Sequence, residues 1–425
     1  MKEKMKDSGI PWIGQIPEDW KVAKLKNFTK FYSGGTPNVS NQFNYNDNGV
    51  SFVTIKDMSN NYLINKTEKH ITKLGIKEKN LKILDKGTVL YSIYATVGEI
   101  SELNINATIN QAILALTNLK NINKTFLKYN LLSMKDFVIS LSNGNTQFNL
   151  NTEIVKNFYL TTPSFELQQK IVEILDKKCG QIDELVRIEE NEIEKLKEYK
   201  TSLITKVVTK GLDPNAKMKD SGIPWIGQIP EDWKVGRLKN FYDVWGGTTP
   251  STENIGFWNG NIKWATPIDF KENYIYDTLK KITKLAIEKN NLKVAHENTL
   301  ILTTRAPIGK IAITKAEMTC NQGCKILFSK NKVFYRYTYY YLLAFCNILN
   351  VLGTGTTFLE ISSTNLSNFN HLFLRLEIQQ QIVEYLDKRC EEIDNLIKIK
   401  QEKIEKLKEY KKSLIYQYVT GKKEV

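Results

Sequence analysis

ELQQKIVEILDKKCGQIDELVRIEENEIEKLKEYKTSLITKVV, residues Glu166 to Val208, decides the fold, because the chain carries a second version of it at Glu377 to Tyr418. Apolar residues recur in both at intervals of three, four and seven. In the first they are Ile171, Leu175, Ile182, Leu185, Val186, Ile193, Leu196, Tyr199, Leu203 and Val207. In the second they are Ile382, Leu386, Ile393, Leu396, Ile397, Ile404, Leu407, Tyr410, Leu414 and Tyr418. That period draws one narrow apolar stripe along a helix. No proline interrupts either stretch, so a helix of about 43 residues, roughly 65 Å long, is expected from each. A seam so narrow needs a second helix to cover it. One chain supplies two, so the expected structure is an antiparallel intramolecular coiled coil with Ile182, Leu185, Ile193, Leu196, Leu203, Ile393, Leu396, Ile404, Leu407 and Leu414 in its seam. Two separate solvated helices would leave both stripes wet.

The helices belong to a larger duplication. MKDSGIPWIGQIPEDWKV at Met5–Val22 recurs unchanged at Met218–Val235, and Lys24–Phe28 (KLKNF) returns as Arg237–Phe241 (RLKNF). Asn110-Gln111 matches Asn321-Gln322, and Ile193–Lys200 matches Ile404–Lys411. Between these anchors, residues 38–160 and 251–370 share only an apolar outline. A repeat that keeps its scaffold while its bodies diverge suggests two related modules that read different things. Each body looks α+β. Short β-rich runs (Val50–Ile55, Thr88–Tyr94, Asn261–Ala265, Thr299–Thr304) lie between Gly, Asn and Pro turns, followed by an apolar helix at Phe126–Leu141 or Tyr337–Leu352. Gly211–Lys217 (GLDPNAK) reads as a turn-rich linker.

A chain of 425 residues exceeds one hydrophobic core. Its 60 basic and 46 acidic residues give a net charge of +14, which favours a polyanionic partner. No apolar h-region marks the amino terminus, so no secretory signal is expected. The 337–352 stretch is too short and too polar to cross a membrane. Five cysteines without a disulfide framework point to a reducing, cytoplasmic setting.

Catalytic motifs are absent: there is no phosphate-binding GxxxxGK[ST], no GxGxxG, no HExxH and no GxSxG. Cys320 and Cys324 lack the further ligands a zinc site needs and read as buried thiols. The loops carry more. Gly34, Gly35 and Thr36, with Gly246, Gly247, Thr248 and Thr249, offer backbone N–H groups and hydroxyls for phosphate oxygens, or simply turns leading into the bodies. SIYATVG (Ser92–Gly98, with Ser92, Tyr94 and Thr96) and TTRAPIG (Thr303–Gly309, with Thr303, Thr304 and Arg305) occupy equivalent places; Arg305 is a candidate guanine reader or phosphate clamp, and Tyr94 stands in its place in the first body. Asn145, Thr146 and Gln147, and Thr354, Thr356 and Thr357, suit base edges or ordinary loop solvation. Lys56 and Lys310 complete the candidate DNA-facing set.

Taken in order and in duplicate, GIPWIGQIPEDW, the GGTP and GGTTP turns, Arg305–Gly309, the Gln-x-x-Ile openings at Gln168 and Gln379, and the helices containing KLKEYK and SLI resemble the specificity subunit of type I restriction and modification systems. The resemblance spans essentially the whole chain. It implies two tandem α+β target recognition domains (23–163 and 236–374), with repeat segments at 1–22 and 211–235. It also implies spacer helices at 164–210 and 375–425, in a pseudo-two-fold arrangement. Each domain would read one half of a split double-stranded DNA target, with the helices fixing the gap. The chain would be non-catalytic. Two modification subunits using S-adenosylmethionine, and restriction subunits using ATP and Mg, would carry the chemistry; the cell would be bacterial or archaeal. The competing readings are a self-contained methyltransferase or nuclease, and a coiled-coil interaction protein that does not bind DNA.

Overall fold

The computed structural model describes residues 4–59, 62–140, 150–305, 307–330, 333–353 and 359–425. They form two compact units, Met1–Glu190 with Gln401–Val425, and Asn191–Lys400. At the centre of the first unit is a five-stranded sheet in the order Lys30–Ser33, Ile113–Thr117, Val89–Ser92, Ile100–Leu103, Leu63–Ile64. Only the last pairing is parallel. The central strands VLYS and ILALT are apolar almost throughout because both faces of the sheet are covered. Their period of two divides them between two cores. Val89, Tyr91, Leu114 and Leu116 face a helical layer that includes Phe126, Leu127, Ile171 and Leu175. Leu90, Ile113 and Ala115 face Val53 and Ile109, which belong to a second sheet in the order Ala107–Ile109, Tyr45–Val53, Lys69–Ile71.

The second unit repeats this topology from a different sequence. Its five strands run Tyr242–Gly246, Cys324–Ser329, Leu300–Thr303, Ile311–Thr314, Tyr274–Ile275, and its three run Lys280–Ile282, Trp258–Ala265, Met318–Cys320. The strand runs expected from sequence lie where strands form, with shifted ends: Thr54 and Asp57 close a capping box that starts a helical turn at Ile55. The single apolar helix expected in each body is two helices, Lys124–Ser133 and Lys135–Ser140, or Tyr335–Ala344 and Cys346–Val351. Met134 and Phe345 leave helical geometry at the breaks.

The long helices are continuous over Phe165–Lys210 and Leu376–Val419. Gln168 and Gln379 explain the Gln-x-x-Ile openings. Each is buried, accepts a backbone N–H from the start of a body helix (Asn123 at 2.8 Å, Phe334 at 3.0 Å) and donates to Pro163 or Leu374. Within the first unit Asp183 pairs with Lys411 at 2.6 Å and Glu189 with Lys403; within the second, Lys200 pairs with Asp394 at 2.7 Å and Glu192 with Lys400. Numbers rise along one helix as they fall along the other, so the pairing is antiparallel.

Of the expected seam, Ile182, Ile193, Ile393, Ile404 and Leu414 are buried, and Leu196, Leu203 and Leu407 are half-buried. Leu185 and Leu396 are corrections, being 45% and 48% exposed. A two-helix seam covers one of two adjacent apolar positions, and Val186 and Ile397 occupy it. No described helix is long and apolar enough to cross a membrane.

Candidate nucleic-acid interface

In each unit two of the expected loops, the glycine turn and the SIYATVG or TTRAPIG loop, meet at one tight turn. In the first it is Asn110–Ala112. The Asn110 carboxamide accepts the Ala112 N–H at 3.1 Å and so shapes the turn, while Gln111 at its tip is exposed. Around it, the Gly35 N–H donates to Ile109 at 3.2 Å, the Ile93 N–H to Ala112 at 2.9 Å, and the Asn110 N–H to Val53 at 3.1 Å. The GGTP turn, the SIYATVG loop and the strand leading to Lys56 thus converge there. The second unit builds the same hub at Asn321–Gly323. Asn321 accepts from Gly323 at 3.0 Å; Thr248 donates to Cys320, Thr304 to Gly323, and Asn321 to Ala265. The hydroxyls of Thr36 and Thr249 donate to the side-chain oxygens of Gln111 and Gln322. Among the described residues nothing engages either glutamine's Nε2, which is left as a donor suited to base acceptors. Sequence reasoning saw the Asn-Gln match without assigning it a role; its persistence between otherwise diverged bodies was the available signal.

The phosphate-cradle expectation is corrected for three of its amides: the N–H groups of Gly35, Gly247 and Thr248 are already donated to backbone carbonyls. Gly34 and Gly247 are glycine for a packing reason: a Cβ would stand 2.0 Å from the Ile109 carbonyl oxygen, or 2.1 Å from that of Cys320. Ser92, Thr303 and Thr304 are also corrected, being fully buried. Ser92 donates to the Thr96 carbonyl and accepts from Glu99, and Thr303 donates to Pro307 at 2.6 Å and accepts from Lys310 at 3.1 Å. These hydroxyls pin their own loops in place of a ligand. Gly98 and Gly309, at φ near +87° and +88°, close the same loops.

Of the remaining candidates, Gly246, Thr248, Thr249, Thr96 and Lys310 are exposed, while Tyr94 is half-buried against the core. Lys56 is exposed and paired with Glu68 at 2.8 Å. The Arg305 side chain is 42% exposed, and its Nε donates to Glu360 at 2.7 Å. Glu360 also faces Lys325 at 3.4 Å. Burial alone would raise the Glu360 carboxyl, but the Arg305 hydrogen bond and the two cations outweigh it and hold it below the ordinary range. Arg305 is therefore held on the rim by a carboxylate, a preset direction for a planar donor. Asn145, Thr146, Gln147, Thr354, Thr356 and Thr357 lie outside the described residues. Cys320 and Cys324 are buried; burial pushes the Cys320 thiol up to about 12, which disfavours the thiolate a metal would require. Among the described residues no group of three His, Cys, Asp or Glu is placed to hold a metal ion.

The family model for the type I restriction modification DNA specificity domain matches residues 17–198 and again 230–409. The chain belongs to that family. Its relatives include a putative type I restriction enzyme specificity subunit of Methanocaldococcus jannaschii, 28% identical over 96% of this chain and 95% of the relative. A second specificity subunit from that organism is 35% identical over 40% of each chain. A solved chain from a study of type I restriction–modification complex assembly shares the fold, with a TM-score of 0.71 at 16% identity over 95% of this chain and 98% of that one. As a type I specificity subunit this chain is a DNA-sequence recognition component and not the catalyst. The two matched regions coincide with the internal repeat.

Proposed function

We propose that each unit of this specificity subunit reads one half-site of a bipartite double-stranded DNA target through the rim around its Asn-Gln turn. The paired helices set the spacing and dock two modification subunits and the restriction subunits. One observation carries the reading: the same hub is built twice, with Gln111 and Gln322 held alike by threonines, while a neighbouring position changes from Tyr94 to Arg305. A conserved frame with exchanged reading residues is what two unlike half-sites require. Basic charge supplies the sequence-independent part of the affinity. S-adenosylmethionine, ATP and Mg would act in the partner subunits.

The test is single-molecule sequencing of methylated adenine in DNA from cells expressing this chain with its modification subunit. The expected result is a bipartite motif that needs both chains. Exchanging residues 38–160 for another body should change one half-site only, and a change in both would overturn the modular reading. Methylation by this chain alone would refute its placement as a non-catalytic subunit.

A further inference from the structure

At the middle of the long helices the two versions of the repeat differ in the sign of their charge. Aligned through the shared IEKLKEYK, Glu189 corresponds to Lys400 and Glu192 to Lys403. In the first unit the Glu189 side chain, only 6% exposed, is paired with Lys403. In the second unit Glu192 is paired with Lys400. Farther out the situation is different: Asp183 corresponds to Asp394, and Lys200 to Lys411, so the pairs Asp183–Lys411 and Lys200–Asp394 join residues common to both versions. Those outer pairs would form equally well between two like helices. The central ones would not.

We propose that the central charges choose the helix partner, so that the first long helix accepts the second and rejects a helix of its own kind from another copy. Two first helices in this register would set Glu189 against Glu192 twice; two second helices would set Lys400 against Lys403 twice. Burying the Glu189 carboxylate beside another carboxylate removes the cation that compensates its desolvation. The near-identical apolar seams cannot make this distinction, since the buried Ile182 and Ile193 match the buried Ile393 and Ile404. Charges beside a coiled-coil seam commonly set partner choice in this way. The inference rests on helix pairing alone and is independent of how the units read DNA.

The intact chain tests it by reversing one side at a time. Glu189→Lys with Glu192→Lys gives the central charge of two paired second helices; Lys400→Glu with Lys403→Glu gives that of two first helices. Each double variant should melt lower than the parent by about 4 °C or more in low salt, and the fourfold exchange should recover most of the shift. Parental melting in both double variants, or no recovery in the fourfold exchange, would overturn the proposal. Partner choice is read separately, after inserting a protease site in the exposed 212–215 segment, cleaving the folded protein and letting the halves re-equilibrate. Native mass spectrometry should show unlike pairs exceeding like pairs by about tenfold or more. A statistical mixture from the parent would overturn the proposal.

Discussion

His371 offers a sharp test of the second unit's core. It is fully buried, with Nδ1 2.9 Å from the Leu372 carbonyl and Nε2 3.1 Å from the Thr338 hydroxyl. A ring nitrogen facing a carbonyl must carry the proton, so Nε2 accepts from Thr338 and the neutral ring satisfies both partners. Burial, partly opposed by the Leu372 hydrogen bond, pulls its pKa from 6.5 to about 4. The folded value lies below the unfolded one, so the unfolded chain takes up the proton first as pH falls. The stability is therefore fully present above about pH 6.5 and is lost on descending towards pH 4. The 2.5-unit gap corresponds to about 3 kcal/mol in all, of which about 2.5 kcal/mol is gone by pH 4.5. The equivalent positions in the first unit are Leu160 for His371 and Leu127 for Thr338, both buried. A His371→Leu/Thr338→Leu chain thus borrows a pair the fold already uses. Urea unfolding of parent and variant from pH 7.5 to 4.5, followed by tryptophan fluorescence, should give a difference in free energy that shifts by about 2.5 kcal/mol across that window. Carboxylates titrate in both chains and cancel. Equal pH slopes would mean that His371 is not held neutral by burial.

Glycine geometry gives a paired prediction: Gly247→Ala, with its Cβ 2.1 Å from the Cys320 carbonyl, should cost about 2–4 kcal/mol by thermal or urea melting. Gly35→Ala, whose nearest neighbour is a Leu81 methyl at 3.4 Å, should stay within about 0.5 kcal/mol. Arg305→Ala should weaken binding of the assembled complex to its cognate DNA by about tenfold or more, measured by anisotropy, and relax discrimination in one half-site only; unchanged affinity would remove Arg305 from the interface. Glu360→Gln takes a negative charge from beside Arg305 and should raise non-specific DNA affinity a few-fold at low salt.

The long helices were legible because a seven-residue apolar repeat has one physical solution, and the duplication doubled the evidence. The exposure of Leu185 and Leu396 was not legible, because each is followed by a second apolar residue and periodicity does not say which of the two faces the seam. Sheet strands announced themselves as β-branched runs, but Ile55 looked like strand until Asp57 capped a helical turn. At the site, the sequence pointed to loops that meet at one turn in each unit, but not to what their polar groups do there. Glycines, Ser92 and Thr303 were read as ligand donors, yet hydroxyl and amide groups have the same composition whether they bind phosphate or tie down their own backbone. Only the carbonyl partners distinguish the two: they lie far away in sequence for Gly35, Gly247 and Thr248, and four residues on in the same loop for Ser92 and Thr303. Gln111 and Gln322 emerged once the turn that carries them was seen to gather the other loops.

The two units are nested, since Asn191–Lys400 interrupts the sequence of the first. During synthesis the second unit has all its residues as soon as Lys400 has emerged. The first must wait for Leu414, Ile415, Tyr418 and Val419, which share a core with Ile13, Ile16, Ile171 and Leu175. At about 5–20 residues per second, the interval between Glu190 and the closing helix is on the order of 10–40 s. Over that time the amino-terminal body, although made first, carries an uncovered apolar face. Truncations near the carboxyl terminus should therefore injure the part of the protein that was translated earliest.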